Sequence, residues 1–153
     1  MNKIQKLINQ LCPDGVEFKE LGEVCEIKNW YTPSKSKKEY WENWIIPWFR
    51  LEDIRTNWNI LNDSIQHISK KAVKWWKLFP ANSIIMSTTA TIWVHALITS
   101  DFIMNQQLTA FSIKDNFKNK LDYKFLFYYS FIIWDLCRKN INPGGFALIW
   151  TTK

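Results

Sequence analysis

Glycine is scarce in this 153-residue chain, at 4 residues, whereas tryptophan, ordinarily the rarest side chain, occurs 10 times. Average usage of about 7% would place roughly 11 glycines in a domain of this length. Cysteine is sparse as well. Cys12, Cys25 and Cys137 are odd in number and have no metal-ligand spacing, so no disulfide framework or zinc site is indicated and reduced, buried thiols are expected. Long apolar runs are missing: stretches such as Phe131-Ile132-Ile133-Trp134 fall far short of the roughly 18 to 20 residues that a membrane span needs. Met1 to Leu11 mixes Lys and Gln among its apolar residues, unlike a secretory signal. A cytoplasmic protein with no membrane partner is expected. Hydrophobic residues make up 47% and charged residues 22%, which excludes whole-chain disorder and leaves one globular domain, residues 1–153.

Catalytic motifs are equally thin. His67 lies in a polar, strand-like segment and His95 inside an apolar run, and neither stands with a serine or cysteine in any pattern that indicates a nucleophile and its base. No phosphate-binding glycine loop occurs. Glu52, Asp53 and Asp101 are scattered acids with no pattern that pairs them around a metal. No self-contained catalytic site, metal or cofactor is expected.

The tryptophan surplus falls in unusual places. Asn57-Trp58-Asn59 and Glu42-Asn43-Trp44 resemble Asn-Gly turns, and Trp75-Trp76 follows a short helical signal where a capping glycine belongs. The pattern predicts that Trp30, Trp44, Trp58, Trp75, Trp76, Trp93 and Trp150 are glycine in the natural protein, from a codon rendered here as tryptophan. Trp41, Trp48 and Trp134 sit in apolar, aromatic contexts and read as genuine tryptophan. The intact mass of the natural protein checks this: it should be lower by seven tryptophan-to-glycine differences. An unchanged mass would restore an aromatic-rich surface.

Hydrophobic spacing organises the rest. Ile4, Leu7, Ile8 and Leu11 predict a short amphipathic helix, ended by Cys12-Pro13-Asp14-Gly15. Strands are predicted at Val16 to Phe18, Val24 to Lys28, Ile45 to Arg55 and Ser83 to Ser87, with Pro47 marking an edge or the start of its strand, and Asp101 to Met104 and Leu108 to Ile113 flank the polar Asn105-Gln106-Gln107. Asn57-Trp58-Asn59 predicts a hairpin turn between Phe49 to Ile54 and Ile60-Leu61. Thr32 to Lys38 is a basic loop, Ser69 to Lys74 a capped helical turn, and Thr88 to Thr91 a polar tip before Ile92 to Ile98. The one long helix runs from Leu121 to Lys139. Strands and short helices without regular βαβ units imply an α+β fold: a single compact domain with a twisted mixed sheet, short helices and one longer C-terminal helix.

The polar residues suit nucleic acid. Lysine and arginine total 20 against 14 acids, a formal charge of +6, which favours an anionic partner. Lys35, Lys37 and Lys38 form one cluster and Lys70, Lys71, Lys74 and Lys77 a second, and each lysine could neutralise a phosphate. Thr88, Thr89, Thr91, Asn105, Gln106 and Gln107 offer short hydrogen-bonding groups. Arg50 and Arg55 suit guanine edges, or pair with Glu52 and Asp53.

A set of motifs, in order along the whole chain, resembles a known family. Leu11-Cys12-Pro13-Asp14-Gly15-Val16-Glu17-Phe18, Leu21-Gly22-Glu23, Thr32-Pro33-Ser34-Lys35 and Tyr40-Trp41 come first. Ile46-Pro47-Trp48-Phe49-Arg50, Asp53-Ile54, Ser87-Thr88-Thr89-Ala90-Thr91-Ile92 and Asn105-Gln106-Gln107 follow. Together they look like the N-terminal target recognition domain of type I restriction-modification specificity subunits. Where that family commonly has glycine near Thr-Pro-Ser and after Ala-Thr-Ile, this chain has Trp30 and Trp93. The resemblance implies sequence-specific binding of double-stranded DNA without catalysis, alongside a modification (methyltransferase) subunit and a restriction (endonuclease and translocase) subunit. It also implies a fragment that lacks the spacer helix and a second recognition domain. On this reading Lys35, Lys37, Lys38, Lys70 and Lys71 hold phosphates, while Thr32, Ser34, Arg50, Arg55, Thr88, Thr89, Thr91 and Gln106 lie near the bases. Two alternatives remain at this level: a single-stranded nucleic-acid binder that stacks bases on its tryptophans, and a carbohydrate-binding module.

Overall fold

The computed structural model describes residues 3–11, 13–15, 17–42, 45–57, 59–74, 77–87 and 94–139. Helix α1, Lys3–Leu11, precedes the Pro13-Asp14 turn, where Gly15 takes φ +83°, a left-handed conformation that only glycine adopts without steric cost. A short helix α2, Leu21–Val24, leads directly into β1, Cys25–Asn29. Glu17 and Phe18, predicted as strand, are in no regular element, and Phe18 is exposed. Val16, the first residue of that predicted strand, lies outside the described residues.

The strands form two sheets rather than the single one expected. The larger has the order β1-β8-β5-β6-β3, where β3 is Ile60–Leu61, β5 Ser83–Ser87, β6 His95–Ile98 and β8 Leu108–Ile113. All of its contacts are antiparallel except the parallel β3–β6 pair. The smaller has the order β4-β2-β7, from β4 His67–Ile68, β2 Ile46–Phe49 and β7 Ile103–Met104. Every residue of β5 and β6 is buried, as central strands covered on both faces should be. Pro47 pairs with His67 of β4, while the β7 pairing begins only at Trp48. The missing N–H thus falls on the half of β2 with one neighbour, at the start of the strand.

The predicted strand over Ile45 to Arg55 is corrected: it ends at Phe49 and is followed by helix α3, Leu51–Asn57. The cause is Asp53. Its carboxylate accepts the backbone N–H of Arg50 at 2.7 Å, one half of a capping box, while Asp53 N–H donates to the Arg50 carbonyl at 3.1 Å. The predicted hairpin at Asn57 to Asn59 is therefore a helix-to-strand connection, and Trp58 lies outside the described residues.

Helix α4, Tyr123–Lys139, is the expected long helix. Leu126 and Phe127 pack on Ile84, Met86, Leu97 and Phe111 of the large sheet, and each such buried side chain contributes roughly 1.5–3 kcal/mol. The opposite stripe of Phe125, Tyr128, Tyr129 and Ile132 is exposed. A second core, with Phe49, Phe79, Phe102 and Met104, lies between the sheets, and a third gathers Ile46, Trp48, Ile68 and Ile103.

Of the tryptophans read as glycine, Trp30 is described; Trp44, Trp58, Trp75, Trp76, Trp93 and Trp150 lie outside the described residues. Trp30 does not have a positive φ, so its backbone does not itself require glycine. Its ring meets Phe79 edge-on at 5.3 Å and packs against the second and third cores, but the indole N–H is buried without a hydrogen-bond partner, a defect that costs about 1–3 kcal/mol.

Candidate nucleic-acid interface

Strand register brings the polar loops to one end of the large sheet. Asn29 of β1 pairs with Thr109 of β8, Met86 of β5 pairs with the same Thr109, and His95 of β6 pairs with Met86. Three segments therefore adjoin this row: the exit of β1 into Trp30-Tyr31-Thr32, the approach to β8 from Asn105-Gln106-Gln107, and the junction from Ser87 to Val94. Ser87 N–H donates to the Val94 carbonyl at 2.9 Å. Thr88, Thr89 and Thr91 lie between these two residues and outside the described residues. Four strands at about 4.8 Å spacing make the row roughly 14 Å wide.

The Asn105–Gln107 turn is ordered by its first residue. Asn105 is buried, its side-chain oxygen accepts the Gln107 N–H and its amide donates to the Gln107 side chain, both at 3.1 Å. Its N–H also donates to the Phe49 carbonyl at 3.0 Å. Asn105 is consumed by the fold, a correction to its reading as an offered group, and Gln106 and Gln107 are the exposed members. The Thr32 hydroxyl donates to the Gln106 side-chain oxygen, so two residues 74 positions apart meet at this end.

The basic loop continues outward from Thr32. Pro33 is fully buried, and Ser34, Lys35, Lys37 and Lys38 are exposed. The Trp41 indole donates to the Ser34 carbonyl at 3.0 Å, and a 3-10 turn at Lys38–Tyr40 closes the loop. The second cluster sits on the 3-10 turn Lys70–Ala72. Ser69 joins the two: its N–H donates to the Tyr40 carbonyl at 2.9 Å and its hydroxyl to the Glu39 carbonyl at 2.6 Å. Lys71 and Glu39 add an ion pair at 3.2 Å, which at this exposure contributes at most about 1 kcal/mol. The expected side-chain cap from Ser69 is not made, because its hydroxyl bridges the loops instead.

Tyr31 is the other bridge, and it carries no local signal in the sequence because its partners lie 41 and 43 residues away. Its hydroxyl donates to the Ala72 carbonyl and accepts the Lys74 N–H at 3.0 Å, while the Lys74 ammonium lies 4.2 Å from the ring centroid. Burial pushes the phenol pKa up, outweighing the opposing effect of the Lys74 N–H, so the hydroxyl keeps its proton at neutral pH.

Hydrogen bonds from Tyr31, Thr32 and Ser69 thus tie together the segments that carry Thr32, Ser34, Lys35, Lys37, Lys38, Lys70, Lys71 and Gln106. Arg50 is tied elsewhere. Its guanidinium lies 3.2 Å from Glu52 and 3.9 Å from Asp53, and over the Trp48 ring at 5.4 Å, so the pairing alternative is the one realised. Arg55 is exposed on α3, on the far side of that ion-pair group in sequence. Neither histidine lies in these segments: His67 faces Asp63 at 2.5 Å, and His95 packs edge-on against Phe131 at 4.3 Å. Cys25 is buried and its thiol is raised to about 11, chiefly by burial, a thiol held in its unreactive form.

A family model described as the type I restriction modification DNA specificity domain matches residues 13–149. The chain is 51% identical over 138 residues to the specificity subunit of the type I restriction enzyme EcoprrI of Escherichia coli, covering 89% of this chain and 34% of that protein. It is 37% identical over 117 residues to the EcoR124I/EcoR124II specificity subunit of Escherichia coli, covering 71% and 28%. The chain spans about a third of the length of these curated relatives. Among solved structures, the HsdS subunit from Thermoanaerobacter tengcongensis superposes with a TM-score of 0.60 at 19% identity, covering 92% of this chain and 35% of that one. A second, from work on complex assembly and conformational transition of the type I R-M system, gives a TM-score of 0.59 at 20% identity, with 91% and 35% covered. At these identities the two structures establish the shared fold.

Proposed function

The chain belongs to the family of type I restriction modification DNA specificity domains, and from that premise we propose that it reads a short sequence in double-stranded DNA. It is one recognition domain of a longer specificity subunit, a size supported by its coverage of about a third of its relatives. It acts in the cytoplasm beside a modification subunit that methylates DNA and a restriction subunit that cleaves it, and it performs neither reaction itself.

One observation supports this reading: hydrogen bonds tie the segments that carry the lysine clusters to the Thr32–Gln106 pair, at the end of a strand row roughly as wide as the ~12 Å major groove. Lysines at the margin neutralise phosphates and fix orientation; amide and hydroxyl groups at the centre donate to and accept from base edges. Of the residues named from sequence, Thr32, Ser34 and Gln106 stand at that centre. Thr88, Thr89 and Thr91, read from the sequence as near the bases, lie outside the described residues. Arg50 serves by holding the start of α3 rather than by reading a base.

Sequencing of duplexes retained from a randomised pool tests the proposal. Enrichment of a defined short motif, with affinity that falls steeply with salt, is the expected result, and preference for single strands would replace it with a stacking mode. Arg55→Ala should lose roughly 1–3 kcal/mol on the enriched motif and relax preference at one base pair. Equal weakening on every sequence would assign Arg55 to a phosphate.

A further inference from the structure

We infer that Tyr31 is a positioning residue that fixes the spacing between the base-reading turn and the second lysine cluster, an inference that rests on the duplex-DNA reading. The argument is one of adjacency. Thr32 is hydrogen-bonded to Gln106 at the end of the large sheet, and its neighbour Tyr31 is hydrogen-bonded to the Ala72 carbonyl and the Lys74 N–H. One peptide unit therefore joins the turn that would read bases to the loop that would hold phosphates.

Three further observations favour this role over simple packing. Burial of the Tyr31 ring is only partial, so its hydroxyl is not there merely to satisfy a core position. Both of its backbone partners belong to the segment that carries Lys70, Lys71 and Lys74, and the Lys74 ammonium lies over the same ring. The other links between the loops, from Ser69 and Lys71 to Glu39 and Tyr40, attach at the far end of the basic loop. Ala72 and Val73 are buried in the third core, so the segment itself stays docked; loss of the Tyr31 hydroxyl frees its Lys74 end to shift relative to Gln106. Phosphates along duplex DNA recur at fixed intervals, so a cluster held at a fixed distance from the reading turn meets them in register, and a shifting one does not.

The test is Tyr31→Phe, which keeps the ring and its contact with Lys74 but removes both hydrogen bonds. The probe is a random-sequence duplex of about 30 base pairs, suitable because phosphate contacts are independent of sequence. Affinity is measured for the full chain between about 50 and 200 mM salt. The variant should bind more weakly, with a log–log salt slope shallower by about two to three, one unit for each lysine no longer held on a phosphate. A merely structural role would lower the folded fraction and leave the slope unchanged; an unchanged slope overturns the inference while the DNA reading stands. Absence of salt-dependent binding by the unsubstituted chain removes that reading, and the inference with it. Hydrogen exchange at the Lys74 amide of the unsubstituted protein decides the matter if the phenylalanine variant does not fold. Slow exchange supports the clasp, and exchange at the rate of an open amide overturns it.

Discussion

Replacing Asp53 by alanine should destabilise the fold by about 3–5 kcal/mol, the largest single-residue effect expected here. The carboxylate is fully buried, and its two oxygens accept the Arg50 N–H at 2.7 Å and the Ile65 N–H at 2.6 Å. Bonds to a charged acceptor contribute about 1.5–3 kcal/mol each. Alanine would leave both donors without that acceptor and the Arg50 guanidinium with Glu52 as its remaining acidic partner. Domains of this kind have about 5–15 kcal/mol in total, so the variant would stand near the limit of folding. Urea denaturation measures it: with a slope near 2 kcal/mol/M, the midpoint should fall by about 2 M. Asp53→Asn, which keeps one acceptor oxygen, should lose about half as much. A midpoint unchanged in the alanine variant would show that the linkage from α3 to the Ile65 loop contributes nothing to folding.

Replacing Lys35, Lys37, Lys38, Lys70, Lys71 and Lys74 together by glutamine should abolish most binding to duplex DNA while leaving the fold intact. Six phosphate contacts correspond to an affinity that falls about 10³-fold between 50 and 200 mM salt. The substituted chain should start weaker by a similar factor at 50 mM and change little with salt. Its melting temperature should stay close to the original, because all six side chains are exposed and the one ion pair lost, Lys71 with Glu39, is exposed on both sides. Persistence of the steep salt dependence would place the phosphate contacts on some other face.

Much of this architecture is legible in the residues because it depends on local rules. The period of Leu121 to Lys139, the buried apolar run in Ser83 to Ser87 and the Pro13-Asp14-Gly15 turn each act within a few positions, and each forms as read. The failures are long-range. Leu51 to Asn57 is helical because the Asp53 carboxylate both closes the first turn and reaches Ile65, 12 residues away, which apolar spacing alone does not show. The sheet of β4, β2 and β7 is separate from the large one, and Phe49 and Phe102, which meet edge-on at 5.6 Å in the core between the two, lie far apart in the sequence. The lysine clusters and Gln106 are identifiable by type, but the links between their segments are bonds from Tyr31, Thr32 and Ser69 across 30 to 74 residues. Arg50 shows the converse: its chemistry suits guanine, and in the fold its guanidinium stands beside Glu52 and Asp53.

The row of strand ends separates two kinds of sequence constraint. Register in β1, β8, β5 and β6 is fixed by side chains facing the cores, and a slip of one residue would turn each of them the wrong way. The segments leaving that row answer to no such alternation, so their length and composition can change while the strands beneath keep their partners. On the proposed DNA reading, exchange of the exposed residues 34–38 or 106–107 should alter target preference, with Tyr31, Pro33 and Asn105 retained as the anchors to which a graft must be spliced.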